Sequence, residues 1–310
     1  MNMQNILITG RIQKELQDIL EKADVRKNFR FLPEDEVKAE DLQWADGYVG
    51  FRPCANFQFG SLKWVHALGA GVDSFLFGRA WDEKVLLTRT VCSFGKKISE
   101  YCLSYMLREA QLHMMYGQNQ ERKIWNPLEP KMLATQKVVI YGTGAIGQEI
   151  AKTLAVFGLR PIGVSWSGRE KPHFYETVPV AHAPRVLAGA GWIISTLPLT
   201  KETERLFNRQ FFQLLNEASF INVGRGKTVH EADLLEALEK KHLRLAILDV
   251  LAQEPLPEHS PLWNHPQVTI TPHISAITSP EEAAACFLET LDNIEQGKRI
   301  ANEVNIERGY

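Results

Sequence analysis

Residues 138–147 read Val-Val-Ile-Tyr-Gly-Thr-Gly-Ala-Ile-Gly, a short apolar run that opens into three glycines. Gly142, Gly144 and Gly147 have the spacing G-x-G-x-x-G, and the residues after them carry apolar side chains at helical intervals. In such a strand-to-helix turn the first glycine permits the tight turn. The second lets a pyrophosphate approach the backbone, and the third lets the helix pack on the strand. The helix N-terminus then favours phosphate charge. The stretch predicts a dinucleotide site, with a structural turn of no chemical meaning as the alternative.

The bulk composition excludes several classes of protein. The chain has 310 residues, 45% of them hydrophobic and 23% charged, which suits two globular domains. A net charge of −2 gives no basic field, so we expect neither nucleic-acid nor membrane-surface binding. The start is too polar for a signal peptide, and no apolar run is long enough to span a membrane. The four cysteines match no zinc spacing, so no metal site is expected. The predicted location is the cytoplasm.

Short apolar runs alternate with helical stretches along the chain, which predicts an α/β fold with parallel sheets. We expect a substrate (catalytic) domain over 1–98 with a smaller, flavodoxin-like α/β fold. A Rossmann-type, doubly wound parallel sheet for the dinucleotide is expected over 99–279. Residues 280–310 are predicted to form a C-terminal helix that returns to the substrate domain. Residues 203–215 are predicted to be helical, and residues 112–136 are predicted to be irregular.

Charged side chains follow several predicted strands of the second domain. Arg225 follows the strand 219–223, Asp249 and Glu254 follow the strand 243–248, and His273 follows the strand 268–271. Ligands in open α/β sheets bind outside the carboxyl ends of the strands, so these side chains are expected to meet beside the glycine motif.

This set of residue types fits the reduction of a 2-keto acid. A guanidinium group binds a substrate carboxylate through two parallel hydrogen bonds, which assigns Arg225 as the carboxylate anchor. The ketone oxygen must be protonated as hydride arrives, and a histidine beside a carboxylate can supply that proton. His273 is the predicted general acid and Glu254 its partner, while Asp249 is expected to orient the nicotinamide. The alternatives are a surface ion pair for Arg225, a solvated loop position for Glu254 and a structural histidine at position 273.

The other histidines have no comparable setting, and most of them are expected at the surface. They are His66, His113, His173, His182, His230, His242, His259 and His265.

With these residues in place, the chain resembles the D-isomer-specific 2-hydroxyacid dehydrogenase family. The matching motifs are Gly69-Ala70-Gly71-Val72-Asp73, Gly142–Gly147, Leu197-Pro198-Leu199-Thr200, Ile221-Asn222-Val223-Gly224-Arg225-Gly226, Leu248-Asp249-Val250 with Glu254-Pro255-Leu256, and Thr271-Pro272-His273-Ile274-Ser275. Within the family the chain most resembles the glyoxylate/hydroxypyruvate reductase branch, through Phe51-Arg52-Pro53 and through Leu86, Thr88 and Arg89.

The resemblance implies a role for individual residues. Arg225, Glu254 and His273 fall on the family's catalytic set, and Ala70 and Gly71 fall on the loop whose backbone N–H groups hold the substrate carboxylate. Leu197 and Pro198 fall on the family's segment that lines the cofactor. With the residues argued from the sequence itself, the predicted cofactor-binding residues are Gly142, Thr143, Gly144, Ala145, Ile146, Gly147, Ser165, Trp166, Ser167, Arg169, Leu197, Pro198, Val223, Gly224 and Asp249. The resemblance also implies a homodimer.

One departure from the family pattern concerns the choice of cofactor. Members that prefer NAD carry an acidic residue after the second strand of the nucleotide domain, where it binds the ribose hydroxyls. Here that strand ends in Ser165-Trp166-Ser167-Gly168-Arg169, with no carboxylate before Glu170. Two hydroxyls and an arginine suit a 2′-phosphate, so NADP(H) is predicted as the preferred cofactor and NAD(H) as a possible one. Trp166 either stacks on the adenine or covers the sheet, and the sequence does not choose.

The predicted function is therefore NAD(P)H-dependent reduction of small 2-keto acids, such as glyoxylate or hydroxypyruvate, to D-2-hydroxy acids. The alternative is a dinucleotide-sensing corepressor, a binding protein that uses the same fold and can retain the same motifs.

Overall fold

The structure, a computed structural model, describes residues 3–23 and 25–310. The chain divides into two compact units. The first comprises Met1–Phe94 and Thr278–Tyr310, and the second comprises Gly95–Ile277. The roles assigned to the predicted domains stay predictions.

Within the described residues there are twelve β-strands and ten α-helices. The strands are β1 (Asn5–Thr9), β2 (Asn28–Leu32), β3 (Gly47–Gly50), β4 (Trp64–Ala67), β5 (Leu86–Arg89), β6 (Val138–Tyr141), β7 (Ile162–Ser165), β8 (Glu176–Pro179), β9 (Trp192–Ser195), β10 (Ala218–Asn222), β11 (Leu243–Leu248) and β12 (Val268–Ile270). The helices are α1 (Gln13–Lys22), α2 (Ala39–Trp44), α3 (Asp73–Leu76), α4 (Phe94–Ala110), α5 (His113–Glu121), α6 (Ala145–Val156), α7 (Pro184–Leu187), α8 (Arg209–Phe212), α9 (Glu231–Glu239) and α10 (Pro280–Glu295).

The first unit is built on a five-stranded sheet with the order β2-β1-β3-β4-β5, and all of its strand pairs are parallel. This is the flavodoxin-like order, as predicted. The C-terminal segment runs antiparallel beside β5: the Val304 N–H donates to the Leu87 carbonyl at 2.9 Å, and the Arg89 N–H donates to the Asn302 carbonyl at 3.1 Å. The edge of β5 is thereby covered.

Helix α10 packs within the first unit, in one apolar cluster with α1. The Ser279 hydroxyl accepts the Glu282 N–H at 3.4 Å, and Pro280 occupies the first helical position, so the helix starts at the predicted residue. On its buried face the Phe287 ring stacks on Trp64 of β4, with ring centres 5.5 Å apart.

The second unit contains a seven-stranded parallel sheet with the order β12-β11-β10-β9-β6-β7-β8. The chain order reverses between β6 and β9. This is the Rossmann arrangement with one further strand at the β12 edge, and it confirms the predicted fold class. Strands β6, β9 and β10 are buried at every residue, because helices cover both faces of a parallel sheet. The glycine motif therefore lies at the switch point, where such sheets bind their ligands.

Two local predictions were wrong. Residues 113–121 form a helix instead of irregular structure, and within 203–215 only Arg209–Phe212 is an α-helix. The Thr203 hydroxyl donates to the Pro198 carbonyl at 2.7 Å, which holds the preceding residues in turns. Of the eight histidines, most of which were expected at the surface, His66 is fully buried, with Nδ1 2.8 Å from the Thr88 hydroxyl, and burial lowers its pKa to about 3.

Candidate active site

The glycine motif joins β6 to α6 with the backbone geometry that the motif requires. Gly142 has φ +103°, and a Cβ added to it would lie 2.3 Å from the Thr196 Oγ1. A Cβ added to Gly147 would lie 1.9 Å from the Gly142 carbonyl oxygen, so the helix packs on the turn only because the side chain is absent. A Cβ on Gly144 would meet no atom within 4 Å. The backbone at the start of α6 is thus open to an incoming group, and a pyrophosphate fits there.

The turn after β7 has a defined conformation. The Gly168 N–H donates to the Ser165 hydroxyl oxygen at 3.1 Å, and the Arg169 N–H donates to the Ser167 hydroxyl oxygen at 3.4 Å. Gly168 has φ +63°. Trp166 is 70% exposed, so its ring does not cover the sheet. The turn presents hydroxyls and a guanidinium at the carboxyl end of the strand.

The loops after β9, β10 and β11 are packed backbone against backbone. A Cβ on Gly224 would lie 2.5 Å from the Leu197 carbonyl oxygen, and a Cβ on Gly226 would lie 1.9 Å from the Leu251 carbonyl carbon. Arg225 stands between these glycines, and its own carbonyl accepts hydrogen bonds from Asn222 Nδ2 and from the Thr228 hydroxyl. Two glycines and two side-chain hydrogen bonds therefore hold the backbone of Arg225 in one conformation.

His273 and Glu254 are brought together by the loops after β12 and β11. The distance between His273 Nδ1 and Glu254 Oε2 is 2.8 Å, and the other carboxylate oxygen accepts the Leu251 N–H at 3.0 Å. A carboxylate has no proton to donate, so Nδ1 carries the hydrogen of this bond and Nε2 is the nitrogen directed elsewhere. The two side chains are 47% and 39% exposed, so the pair is accessible.

The electrostatics join Arg225 to the same pair. Burial by itself would raise the pKa of the Glu254 carboxyl. The hydrogen bonds from His273 and the Leu251 backbone, with the charges of His273 and Arg225, outweigh burial and hold that pKa below its usual value. Glu254 is therefore an anion at neutral pH, bonded to the imidazole of His273 and within range of the charge of Arg225. All three predicted catalytic residues meet at one edge of the second unit.

Asp249 has a role that the sequence did not indicate. Its carboxylate is buried and accepts three hydrogen bonds from the loop that carries His273: one from the Thr271 hydroxyl at 2.6 Å and two from the N–H groups of Ile274 and Ser275 at 2.8 and 2.9 Å. Both carboxylate oxygens bond to this loop, so Asp249 orders the segment that carries His273.

Tyr101 extends this arrangement from α4. Its hydroxyl lies 2.7 Å from the Thr271 hydroxyl, and since Thr271 donates its hydrogen to Asp249, the hydrogen of this bond comes from Tyr101. Sequence reasoning missed both Tyr101 and Thr271. Thr271 was noted only as a member of the motif Thr271–Ser275 and at the carboxyl end of a strand, without a role of its own.

Ala70 and Gly71 follow β4 in the first unit. The Ala70 carbonyl accepts a hydrogen bond from Arg89 Nη1 at 3.1 Å. Elsewhere in the described residues, no group of three or more His, Cys, Asp and Glu side chains is placed to hold a metal ion. None of the described helices is both long and apolar enough to cross a bilayer.

Fold and site together define a dinucleotide-dependent oxidoreductase of the two-unit α/β type. A model of the "D-isomer specific 2-hydroxyacid dehydrogenase, NAD binding domain" matches residues 103–275, which is more than half of the chain. The chain belongs to this dehydrogenase family.

Relatives and solved structures agree with that assignment. The glyoxylate/hydroxypyruvate reductases A of Klebsiella pneumoniae (strain 342) and Enterobacter sp. (strain 638) are 36% and 35% identical to it. Each match covers 89% of this chain and 91% of the relative. The NADPH-dependent glyoxylate/hydroxypyruvate reductase of Sinorhizobium meliloti, solved with NADP and sulfate, superposes with a TM-score of 0.90 at 29% identity, over 99% of this chain and 100% of that one. A family member from Xanthobacter autotrophicus Py2, solved with NADPH and MES, gives a TM-score of 0.89 at 30% identity, over the full length of both chains.

Proposed function

We propose that this protein reduces small 2-keto acids such as glyoxylate and hydroxypyruvate to D-2-hydroxy acids, with NADPH as the preferred reductant. The observation that carries the proposal is the 2.8 Å bond between His273 Nδ1 and Glu254 Oε2, which leaves Nε2 to face a substrate. The names of the relatives support the substrate class, since both curated proteins are glyoxylate/hydroxypyruvate reductases.

The proposed cofactor site lies along the carboxyl edge of the second sheet. The turn of Gly142–Gly147 would hold the pyrophosphate, Leu197, Pro198, Val223 and Gly224 would line the path towards the nicotinamide, and Asp249 would act through the loop it holds. When bound, the nicotinamide supplies the hydride. Ser165, Ser167 and Arg169 would hold the 2′-phosphate of NADPH, because a turn with hydroxyls and a guanidinium favours that charge. Trp166, exposed beside them, would stack on the adenine.

In the proposed mechanism, His273 donates a proton from Nε2 to the oxygen of the keto group as that oxygen gains negative charge. Glu254 stays ionised, keeps Nδ1 protonated and stabilises the imidazolium form before the transfer. Arg225 binds the substrate carboxylate and so orients the carbonyl carbon. The N–H groups of Ala70 and Gly71 are proposed as further donors to that carboxylate.

The family resemblance also supports a homodimer as the working form. The sequence composition supports the cytoplasm as its location, and both remain proposals.

A direct test is to follow the absorbance of NADPH with glyoxylate, hydroxypyruvate, pyruvate and phenylpyruvate in turn. We expect turnover with the first two, and chiral analysis of the product should give the D isomer where the product is chiral. Protein that binds NADPH but turns over none of the four would contradict the enzymatic reading and favour the corepressor alternative.

A further inference from the structure

Arg89 occupies a fixed position at the carboxyl end of β5. Its backbone is bonded twice to Asn302: the Arg89 N–H donates to the Asn302 carbonyl at 3.1 Å, and Asn302 Nδ2 donates to the Arg89 carbonyl at 2.7 Å. The same amide nitrogen lies 2.8 Å from the Thr290 hydroxyl on α10. The C-terminal segment thus fixes where the Arg89 side chain begins.

The guanidinium of Arg89 is a partly buried cation without an anionic partner. Among the described residues it forms no ion pair, and its hydrogen bond is to the neutral carbonyl of Ala70 at 3.1 Å. Burial lowers its pKa, and no neighbouring charge opposes this effect. Arg52, at the end of β3 in the same sheet, is instead paired with Glu34. Burying a charge that has no opposite charge beside it costs free energy. We therefore expect the Arg89 guanidinium to have a function that offsets this cost.

The bond to Ala70 sets the orientation of the next N–H group. The peptide between Ala70 and Gly71 is trans, so its carbonyl and its N–H point in opposite directions within one plane. With the carbonyl held by Arg89, the Gly71 N–H is directed to the other side. A cation on the carbonyl also polarises the amide and strengthens its N–H as a donor. No described residue accepts a hydrogen bond from the N–H groups of Ala70 or Gly71.

We propose that Arg89 is a positioning residue that turns and polarises the Ala70–Gly71 peptide, so that the Gly71 N–H binds the carboxylate of the substrate. The proposal rests on the proposed function, in which this loop receives that carboxylate. Arg89 itself stays behind the peptide and does not touch the substrate. Its loss should therefore weaken the binding of the carboxylate more than the chemical step.

The test compares the full-length wild type with Arg89→Ala, Arg89→Lys and the control Arg79→Ala, which removes an exposed arginine of the same unit. We expect Arg89→Ala to raise the KM for glyoxylate roughly tenfold, the usual scale for losing one charge-assisted hydrogen bond, with kcat and the KM for NADPH nearly unchanged. Arg89→Lys keeps a cation and should lie between Arg89→Ala and the wild type. Added methylguanidinium should lower the KM of Arg89→Ala, and a merely structural role would give no such rescue.

Two failures can be told apart. Suppose first that the wild type is active. If Arg89→Ala then has the same KM for glyoxylate as the wild type, the role proposed for Arg89 is wrong while the proposed function stands. Arg89→Lys replaces Arg89→Ala in this comparison if Arg89→Ala does not fold. If the wild type turns over no 2-keto acid, the proposed function fails. Calorimetric titration of oxalate, a carboxylate probe, into the NADP-saturated protein then decides. Weaker binding by the Arg89 variants than by Arg79→Ala supports the positioning role, and equal or absent binding overturns it.

Discussion

The carbonyl of Asp249 accepts the backbone N–H of His273 at 2.9 Å, while its carboxylate accepts the N–H groups of the two residues that follow. His273 has φ +55°, a conformation that is rare for a residue with a side chain, costs about 1–3 kcal/mol and persists only where the surrounding structure enforces it. Asp249 therefore accepts hydrogen bonds from His273 itself and from the two residues after it. These bonds hold the strained backbone of His273, and so the orientation of its imidazole depends on Asp249.

Asp249→Asn should separate this role from direct contact with the cofactor. The amide replaces one acceptor by an N–H donor that faces a backbone N–H, and an unsatisfied buried group of this kind costs about 1–3 kcal/mol. We expect a lower melting temperature and a lower kcat, with the Kd for NADPH unchanged in a fluorescence titration. If the main defect of the variant is a weaker affinity for NADPH, Asp249 contacts the nicotinamide directly, as the sequence predicted.

His273→Gln should remove the proton donor while keeping a polar side chain. Loss of a positioned general acid lowers kcat on the order of a hundredfold to ten-thousandfold. NADPH binding should be retained, and the fluorescence titration again provides the control. Activity near that of the wild type would mean that the proton comes from another group.

Glu254→Gln should change the pH dependence of stability. The folded-state pKa of Glu254 lies below its usual value, so the stabilisation is complete above the unfolded pKa of about 4.3 and is lost as pH falls through the folded pKa. The wild type should melt at a higher temperature than the variant at pH 7, and the difference should shrink in acid. A difference that is constant across this range would show that ionisation of Glu254 does not contribute.

Arg225→Lys should test the anchor role, because lysine keeps the charge but loses the planar pair of donors. We expect kcat/KM for glyoxylate to fall by about tenfold or more, through both KM and kcat, since a misplaced carboxylate also misplaces the keto carbon. Steady-state kinetics at saturating NADPH measure this. If both KM and kcat are unchanged in the variant, Arg225 does not bind the substrate carboxylate.

Arg169→Ala should lower the preference for NADPH. The variant loses the proposed contact between the Arg169 guanidinium and the 2′-phosphate of NADPH. We expect kcat/KM for NADPH to fall by about tenfold and kcat/KM for NADH to stay unchanged. Arg185→Ala is the matched control, because Arg185 is an exposed arginine of the same unit already paired with Glu176. A wild type that prefers NADH would refute the cofactor prediction before any variant is made.

The sequence predicted the parts of the site that follow from topology. Once β6, β10, β11 and β12 are recognised as parallel strands, their carboxyl ends must share one edge, and this brings Arg225, Glu254 and His273 together. The bonds to Asp249 could not be predicted in this way, because most of them come from backbone N–H groups, which every residue type but proline supplies.

The errors have similar physical causes. Helix α5 has no buried residue, so it lacks the apolar period by which a helix is recognised. Residues 203–208 have a helical composition, but Arg205 adopts φ +52° and the Thr203 side chain bonds to the Pro198 carbonyl. The burial of His66 could not be predicted from residue type either, because it depends on the hydroxyls of Thr88 on β5 and of Thr90 just after it, which lie within hydrogen-bond distance of its ring nitrogens.

The first unit is assembled from two pieces of chain, with the whole of Gly95–Ile277 between them. During synthesis on the ribosome the second unit emerges complete while the first still lacks α10 and the strand-like segment beside β5. The second unit is therefore able to fold first, and the first unit must wait until α10 and the segment beside β5 have been translated. Until then, the face of the first unit that α10 covers in the folded protein stays open, and such open apolar surface favours aggregation.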